Sequence, residues 1–411
     1  MEIRPILSTL MRSKTGAILV ALQIAISLAI LSNALHIVNL RLGVANRPSG
    51  IADEASVFYM QVRHLREGGH IDQLATKQSE METLRAVAGV QSVAFVNQIP
   101  LSQSGGYNSV AVDPKQVDMT ADASYYTTPD SLVKTWGLQL LEGRDFLPED
   151  VVEIDNTVGG ISPRSVIITK ALADKAWPGN SGVVGKTLYY GSGAGAEAVR
   201  IVGVVARLQS QSATLDPKAE FSTIVAAIYT NAFGTIYTVR ATPGQLQRVI
   251  KDAEAALAAH AASPLIVRSH TMEQTRNKRY RADMSLAWML IAVCVLLLLI
   301  TASGIVGMAS LWVTQRRKQI GVRRALGARR IDILRYFLTE NFMISSVGVG
   351  AGIVLAIGLN QLLVTRLEMS RLPLSYLVSG ATIFWALGAA AVYGPAWRAA
   401  AISPALATRS A

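Results

Sequence analysis

Charged residues are scarce in this 411-residue chain, where Asp, Glu, Lys and Arg make up 16%. A soluble globular domain carries about 25%. That deficit, beside 51% hydrophobic residues, points to membrane segments and excludes global disorder. Cysteine is limited to Cys294, which excludes a disulfide-stapled fold and a cysteine-based zinc cluster. No Cys follows the first apolar run, so lipoprotein processing is excluded there. There is no H-E-x-x-H, no G-x-S-x-G, no 20–50-residue repeat and no low-complexity tract. No hydrolase constellation emerges.

What is present is long apolar sequence. Ala17–Ile37, Met284–Val313, Asn341–Thr365 and Leu372–Trp397 each lack Asp, Glu, Lys and Arg. The shortest reaches about 31 Å as a helix at 1.5 Å per residue, enough to span a bilayer. The chain therefore reads as a membrane protein of four transmembrane α-helices, one and then three, around a large α+β extracytoplasmic domain. Its pieces are an N-terminus (1–16), a first span (17–37), a large domain (38–283) and a second span (284–313). A loop (314–340), a third span (341–365), a turn (366–371), a fourth span (372–397) and a tail (398–411) follow. Residues 1–34 read as an uncleaved signal anchor, because the apolar run is longer than a signal-peptide core.

The net charge of +11 reports topology. Segment 38–283 is neutral, with as many basic as acidic residues, whereas Arg4, Arg12, Lys14, Arg398, Arg409 and eight basic residues of 314–340 lie in the short pieces. The positive-inside rule puts both ends and the 314–340 loop in the cytoplasm and the large domain outside. A nucleic-acid partner is not expected.

The large domain alternates strands and helices. Strands are expected at Ala55–Arg63, Val90–Asn97, Asn108–Asp113, Ser124–Thr127, Ser165–Thr169, Lys186–Tyr190, Val199–Val205, Phe221–Tyr229, Thr235–Arg240 and Leu265–Ser269. Helices are expected at Thr76–Val87, Asp130–Trp136, Lys170–Trp177 and Gly244–Ala259. Strand–helix–strand fragments flank a middle insertion, which suggests a split α+β domain. Thr271–Asp283 reads as a helical stalk continuing the second span.

The most tempting catalytic motif is a decoy. Gly182–Thr187 resembles the end of a phosphate-binding P-loop, but Asn180 occupies the first glycine position and strand sequence follows Thr187. His64 and His70, with Glu67 between them, do not specify a metal site, and His260 and His270 are isolated. His36 is expected at the membrane interface. Asp145, Glu149 and Asp150 read as a solvated turn. The spans carry no ionisable residue other than His36, which argues against an ion-driven pathway through the bundle. Gly348/Gly352 and Ser303/Gly307 are small-xxx-small pairs suited to close helix packing, within or between subunits.

The 314–340 loop is the most informative segment. Ile331, Leu334 and Leu338, with Ile333 and Phe337, keep helical spacing and predict an amphipathic helix leading into the third span. Ile320–Leu326, ended by Gly327, reads as a separate short helix presented to a partner. On charge alone, anchoring to anionic lipid comes ahead of protein docking.

Arg316–Ala328, followed by Ile333-Leu334-Arg335-Tyr336-Phe337-Leu338-Thr339-Glu340, resembles the FtsX-like permease module of MacB-type ABC transporters. Members carry R-R-x-E-I-G-[IV]-R-R-A-L-G-A and then I-L-x-x-F-L-x-E. The resemblance covers most of the chain: Leu141–Phe146 is similar to the L-x-G-R-x-F turn, Ile168–Leu188 to a helix and V-G-K-T-L, and Ile201–Val205 to the next strand. Pro395–Ala400 with Pro404 resembles the family C-terminus. Gln319 departs from the usual Glu.

The resemblance implies Porter-like (about 45–136 and 216–270) and Sabre-like (about 137–215) subdomains in a MacB-like periplasmic domain. It implies that Ile320, Gly321, Val322, Arg323, Arg324, Ala325, Leu326, Gly327 and Ala328 dock a P-loop ATPase subunit. ATP and Mg would be bound by that subunit; no cofactor is expected in this chain, and no enzyme activity of its own. A second permease chain, identical or paralogous, is implied, with a periplasmic adaptor and an outer-membrane channel as further candidates, in a bacterial inner membrane. Mechanotransmission to the periplasmic domain would drive export or efflux. The alternatives are lipoprotein release or envelope remodelling on the same fold, and an ATPase-independent sensor or scaffold.

Overall fold

A computed structural model describes residues 14–66, 68–154, 162–180, 182–214, 216–230, 234–367 and 370–401. Most of the expected end pieces, Glu67, Pro404, Arg409 and the middle of the 366–371 turn lie outside the described residues. The chain forms two compact units, Val44–Ala282 and the remainder.

In chain order the elements are α1 (Lys14–Ala45), β1 (Val57–His64), α2 (His70–Ala86), β2 (Val90–Val96), β3 (Tyr107–Ala111), β4 (Ala121–Thr128) and α3 (Leu132–Trp136). There follow β5 (Leu140–Gly143), β6 (Val152–Ile154), β7 (Ser165–Thr169), α4 (Lys170–Ala176), β8 (Thr187–Tyr190), β9 (Glu197–Val205) and β10 (Ser222–Tyr229). The last are β11 (Thr235–Ala241), α5 (Leu246–His260), β12 (Leu265–Thr271), α6 (Met272–Gln315), α7 (Arg317–Ala325), α8 (Arg330–Leu367) and α9 (Leu374–Ala400).

The two strand–helix–strand fragments interleave into one antiparallel sheet of order β12-β1-β11-β2. Period-two alternation gives it two apolar faces. Phe58, Met60 and Val62 pack on Met81 and Leu84 of α2 and on Val249, Ala253 and Leu257 of α5. Val57 and Tyr59 face the other way, toward Trp136 and Tyr126. Trp136 is fully buried, and its indole N–H reaches Thr238 Oγ1 at 2.8 Å.

The second sheet is wider than the insertion expected at 137–215. It takes in β3, β4 and β10 and so runs from Tyr107 to Tyr229. Its ladder passes β4-β3-β8-β9-β7-β10, and β10 pairs β4 again over Ser222–Ala226, closing a six-stranded ring. Closure removes the exposed edges. Strand character is local, but these pairings join residues about a hundred apart, so alternation alone does not assign them. The short strands β5 and β6 were not expected; β5 lies against β9 and β6 against β10. Gly143 at the end of β5 has φ +77, and a Cβ there would lie 2.1 Å from the Val202 carbonyl oxygen. Only glycine fits such an approach, which is the physical content of the Leu141–Phe146 turn.

In the helical unit, α1 is the most buried of the four helices that, among the described residues, are long and apolar enough to cross a membrane, and α6 the least. Small residues let α1 make these contacts. A Cβ on Gly348 would lie 2.8 Å from the Ala21 carbonyl oxygen, and one on Gly352 2.9 Å from Leu28. A Cβ on Gly380 would lie 2.6 Å from Leu28 as well. The Gly348/Gly352 pair thus packs within the chain, whereas Gly307 has nothing within 4 Å. Ser27 and Thr301 share a 3.0 Å hydrogen bond between α1 and α6, and the Asn33 amide donates to the Ala356 carbonyl of α8. His36 is buried: its Nε2 lies 3.0 Å from Ser370 Oγ and its ring meets the edge of Tyr376.

Candidate functional site

Helix α7 is the short basic helix expected from Ile320–Leu326, begun three residues earlier. Ile320 and Gly321 are its buried side. Ile320 joins a cluster with Ile333, Leu334 and Phe337 at the start of α8. That start is the amphipathic helix expected there, and it continues without a break to Leu367.

The helix ends on Gly327 at φ +96. Ala328 N–H donates to Arg323 O at 3.1 Å and Gly327 N–H to Arg324 O at 3.2 Å. This double bond pattern around a left-handed residue closes the last turn and satisfies its carbonyls. The Arg324 guanidinium adds a bond to Ala328 O at 3.1 Å. In the following turn Arg329 N–H donates to Asp332 Oδ2 at 2.9 Å, capping α8.

The anchor of this corner was not foreseen. Arg316, between α6 and α7, places Nη1 2.7 Å and 2.9 Å from the two Glu340 carboxylate oxygens. The Glu340 side chain is 1% exposed and that of Arg316 12%. The available signal was a lone Glu at the mouth of an uncharged 25-residue run, since a buried acid needs a cation partner.

The outer side of α7 is different. Val322 is 53% and Leu326 83% exposed, one turn apart. Arg317, Lys318, Arg323, Ala325, Arg329 and Arg330 are exposed around them, and the Arg323 guanidinium lies 5.2 Å from the Tyr336 ring. Gln319, at the position where the family usually has Glu, is exposed too. The nine residues from Ile320 to Ala328 therefore split between a buried side and an apolar pair framed by cations.

The other sequence candidates resolve into structure. Gly182–Thr187 is a turn into β8, with Gly185 N–H bonded to Ile201 O at 2.7 Å and Lys186 over the Trp177 ring. His64 Nε2 lies 2.9 Å from Glu80 Oε1, and His70 Nε2 3.0 Å from Glu153 Oε1. Among the described residues no group of three His, Cys, Asp or Glu could hold a metal. Asp150 binds Arg144, Ser165 Oγ and the Leu147 N–H; the Arg144 hydrogen bond leads in holding its carboxyl down to about 2.

Two family models match the chain. Residues 19–275 match the MacB-like periplasmic core domain and residues 291–405 the FtsX-like permease C-terminal domain. The chain belongs to the MacB-like permease family. With four helices among the described residues long and apolar enough to cross a bilayer, it is a membrane protein.

A macrolide export ATP-binding/permease protein MacB from Agrobacterium fabrum is 27% identical over 291 residues, 69% of this chain and 42% of that protein. Its namesake from Chromobacterium violaceum is 23% identical over 384 residues, 90% and 57% of the two chains. A pyoverdine export ATP-binding/permease protein PvdT from Pseudomonas syringae pv. tomato is 33% identical over 170 residues, 39% and 25% of the two. The chain spans about half the length of the curated MacB relatives it matches.

Proposed function

We propose that this chain is the permease part of a MacB-type ABC exporter and that α7 docks its ATPase component. Family membership supports the exporter reading; the observation that carries the docking role is the exposed Val322–Leu326 pair on a helix whose opposite side is fixed by Ile320 and the Arg316–Glu340 pair. A lipid anchor needs only the cations. An apolar pair standing out from a basic rim, on a rigid corner, is the form of a protein contact.

On this reading the ATPase carries the ATP and Mg, and two permease chains, identical or paralogous, work together in the inner membrane. Val44–Ala282 is the periplasmic domain, with Porter-like and Sabre-like parts, and both chain ends and α7 are cytoplasmic. Closure of the ATPase pushes on α7 and α8. Arg316–Glu340 passes the push to α6, and the periplasmic domain moves. Work is done on cargo already outside the bilayer, which suits an apolar bundle. A periplasmic adaptor and an outer-membrane channel complete the export route. Its relatives carry the names of macrolide and pyoverdine exporters, so the proposal extends to the transport module and names no single cargo.

The test is purification from native membranes in mild detergent, with mass spectrometry of the partners. A stoichiometric P-loop ATPase that is lost in Val322→Asp/Leu326→Asp supports the reading. A chain reproducibly free of ATPase across detergents supports a sensor or scaffold instead.

A further inference from the structure

The large domain is joined to α1 and α6 by two chain segments, residues 44–56 and the first turns of α6. The Arg276 side chain connects them directly. Arg276 donates through Nε to Glu54 Oε2 at 2.8 Å and through Nη2 to Glu54 Oε1. Its Nη1 donates to the Ala45 carbonyl at 3.1 Å and to the Arg47 carbonyl at 3.0 Å. Four of the five guanidinium N–H groups thus end on the other segment, two on a carboxylate and two on the carbonyls of Ala45, the last residue of α1, and Arg47, two residues on. The planar fork makes this a fixed geometry as well as a charge contact. Glu54 is held in turn by the Ser49 hydroxyl.

A second layer lies beside it. Arg279, three residues on, donates to Ser212 O at 2.6 Å and Ala213 O at 2.9 Å, on the β9–β10 connection. Gln209 of that connection is fully buried and bridges both segments, with its Nε2 donating to Pro48 O at 3.0 Å and its Oε1 accepting from Tyr280 OH at 3.2 Å. Surface ion pairs are worth little, because solvent competes and long side chains must be ordered. This one is only about one-fifth exposed on each side, and four carbonyls join it.

We propose that Arg276 is a positioning residue that locks the incoming and outgoing segments into one body, so that the large domain is driven by α1 and α6 together and not by either alone. The inference rests on the exporter reading only for what the lock transmits; the lock itself is a property of this chain.

The test uses the full chain in lipid nanodiscs, with spin labels on Asn46→Cys and Asn277→Cys in a Cys294→Ala background. Both label sites are exposed, one on each segment. Pulsed electron resonance should give one narrow distance in the parent, a broadened or bimodal distribution in Arg276→Gln, and an intermediate one in Arg276→Lys, which keeps the charge and loses the fork. An Arg276→Gln distribution as narrow as the parent's overturns the proposal. Should Arg276→Gln not fold, judged by thermal melting, Glu54→Gln makes the same measurement with a smaller expected broadening.

Transmission is read separately, in the complex captured from native membranes, from a label at the 92%-exposed Val117. Its spectrum should change with ATP and vanadate in the parent and not in Arg276→Gln, with the ATPase still bound in both. A parent that captures no ATPase contradicts the exporter reading and leaves the distance result to decide the lock.

Discussion

At the start of α6, Arg276 and Arg279 turn their guanidinium groups inward, onto the Glu54 carboxylate and four backbone carbonyls. In α7, Arg317, Lys318 and Arg323 stand exposed around Val322 and Leu326. Both runs look alike as sequence: R-N-K-R-Y-R in one and R-R-K-Q-I-G-V-R-R in the other. What separates them is what the neighbouring chain offers. Residues 45–54 and 209–213 lack regular structure over much of their length and present free carbonyls, which a five-donor fork satisfies. Helix α7 and its neighbours satisfy their own carbonyls, so the cations there have solvent, lipid or a partner left to meet. Arg316 and Arg324 depart from this pattern in their run, because Glu340 supplies a buried acid beside the one and Ala328 O a carbonyl beside the other.

The comparison can be broken at its strongest inward contact first. Arg316→Ala strands the Glu340 carboxylate, and removing one partner of a buried pair costs about 3–5 kcal/mol. Thermal unfolding in detergent should show a lower midpoint, and hydrogen exchange should show α7 losing protection. Next comes Gly348→Leu. Its Cβ alone would lie 2.8 Å from the Ala21 carbonyl, and overpacking of this kind costs about 1–3 kcal/mol, read as a lower midpoint of the helical unit. Arg279→Ala removes two charged hydrogen bonds from the β9–β10 connection. A loss of about 1–3 kcal/mol, with faster proteolysis near Ser212, is expected.

Smaller still is Asp150→Asn. The folded-state carboxyl is held down to about 2, below its unfolded value near 4. Its contribution is therefore complete above the unfolded value and fades as pH falls toward 2. The midpoint gap between parent and variant should be open at pH 6 and closed near pH 2. Leu326→Asp should change stability by no more than about 0.5 kcal/mol, because the side chain touches little. Only partner capture should suffer. A large stability loss there would mean that α7's outer face is packed after all.

Much of this was legible in the residues. The four apolar runs gave the membrane helices because an uncharged stretch above 20 residues has few other uses. Alternation located most strands to within two residues, and Gly327 marked the end of α7. The sequence motif around Ile320–Ala328 singled out this corner as a docking candidate, but not which of its residues face inward: that depends on Ile333 and Phe337 arriving from α8. The ring of the second sheet stayed hidden because β4 and β10 read equally well as neighbours of the first sheet. Arg276 and Glu54 are 222 residues apart, and nothing local marks either as half of a pair. Nothing local in the sequence marked Ser370 and Tyr376 as the partners of His36.

The account rests most directly on what touches Leu326. A photo-crosslinking amino acid placed at that position, irradiated in native membranes, should give one dominant adduct with a P-loop ATPase, and the same probe at Val117 should not. Adducts at position 326 that are lipid alone, or none above background while the protein is inserted and folded, would contradict the docking role of α7.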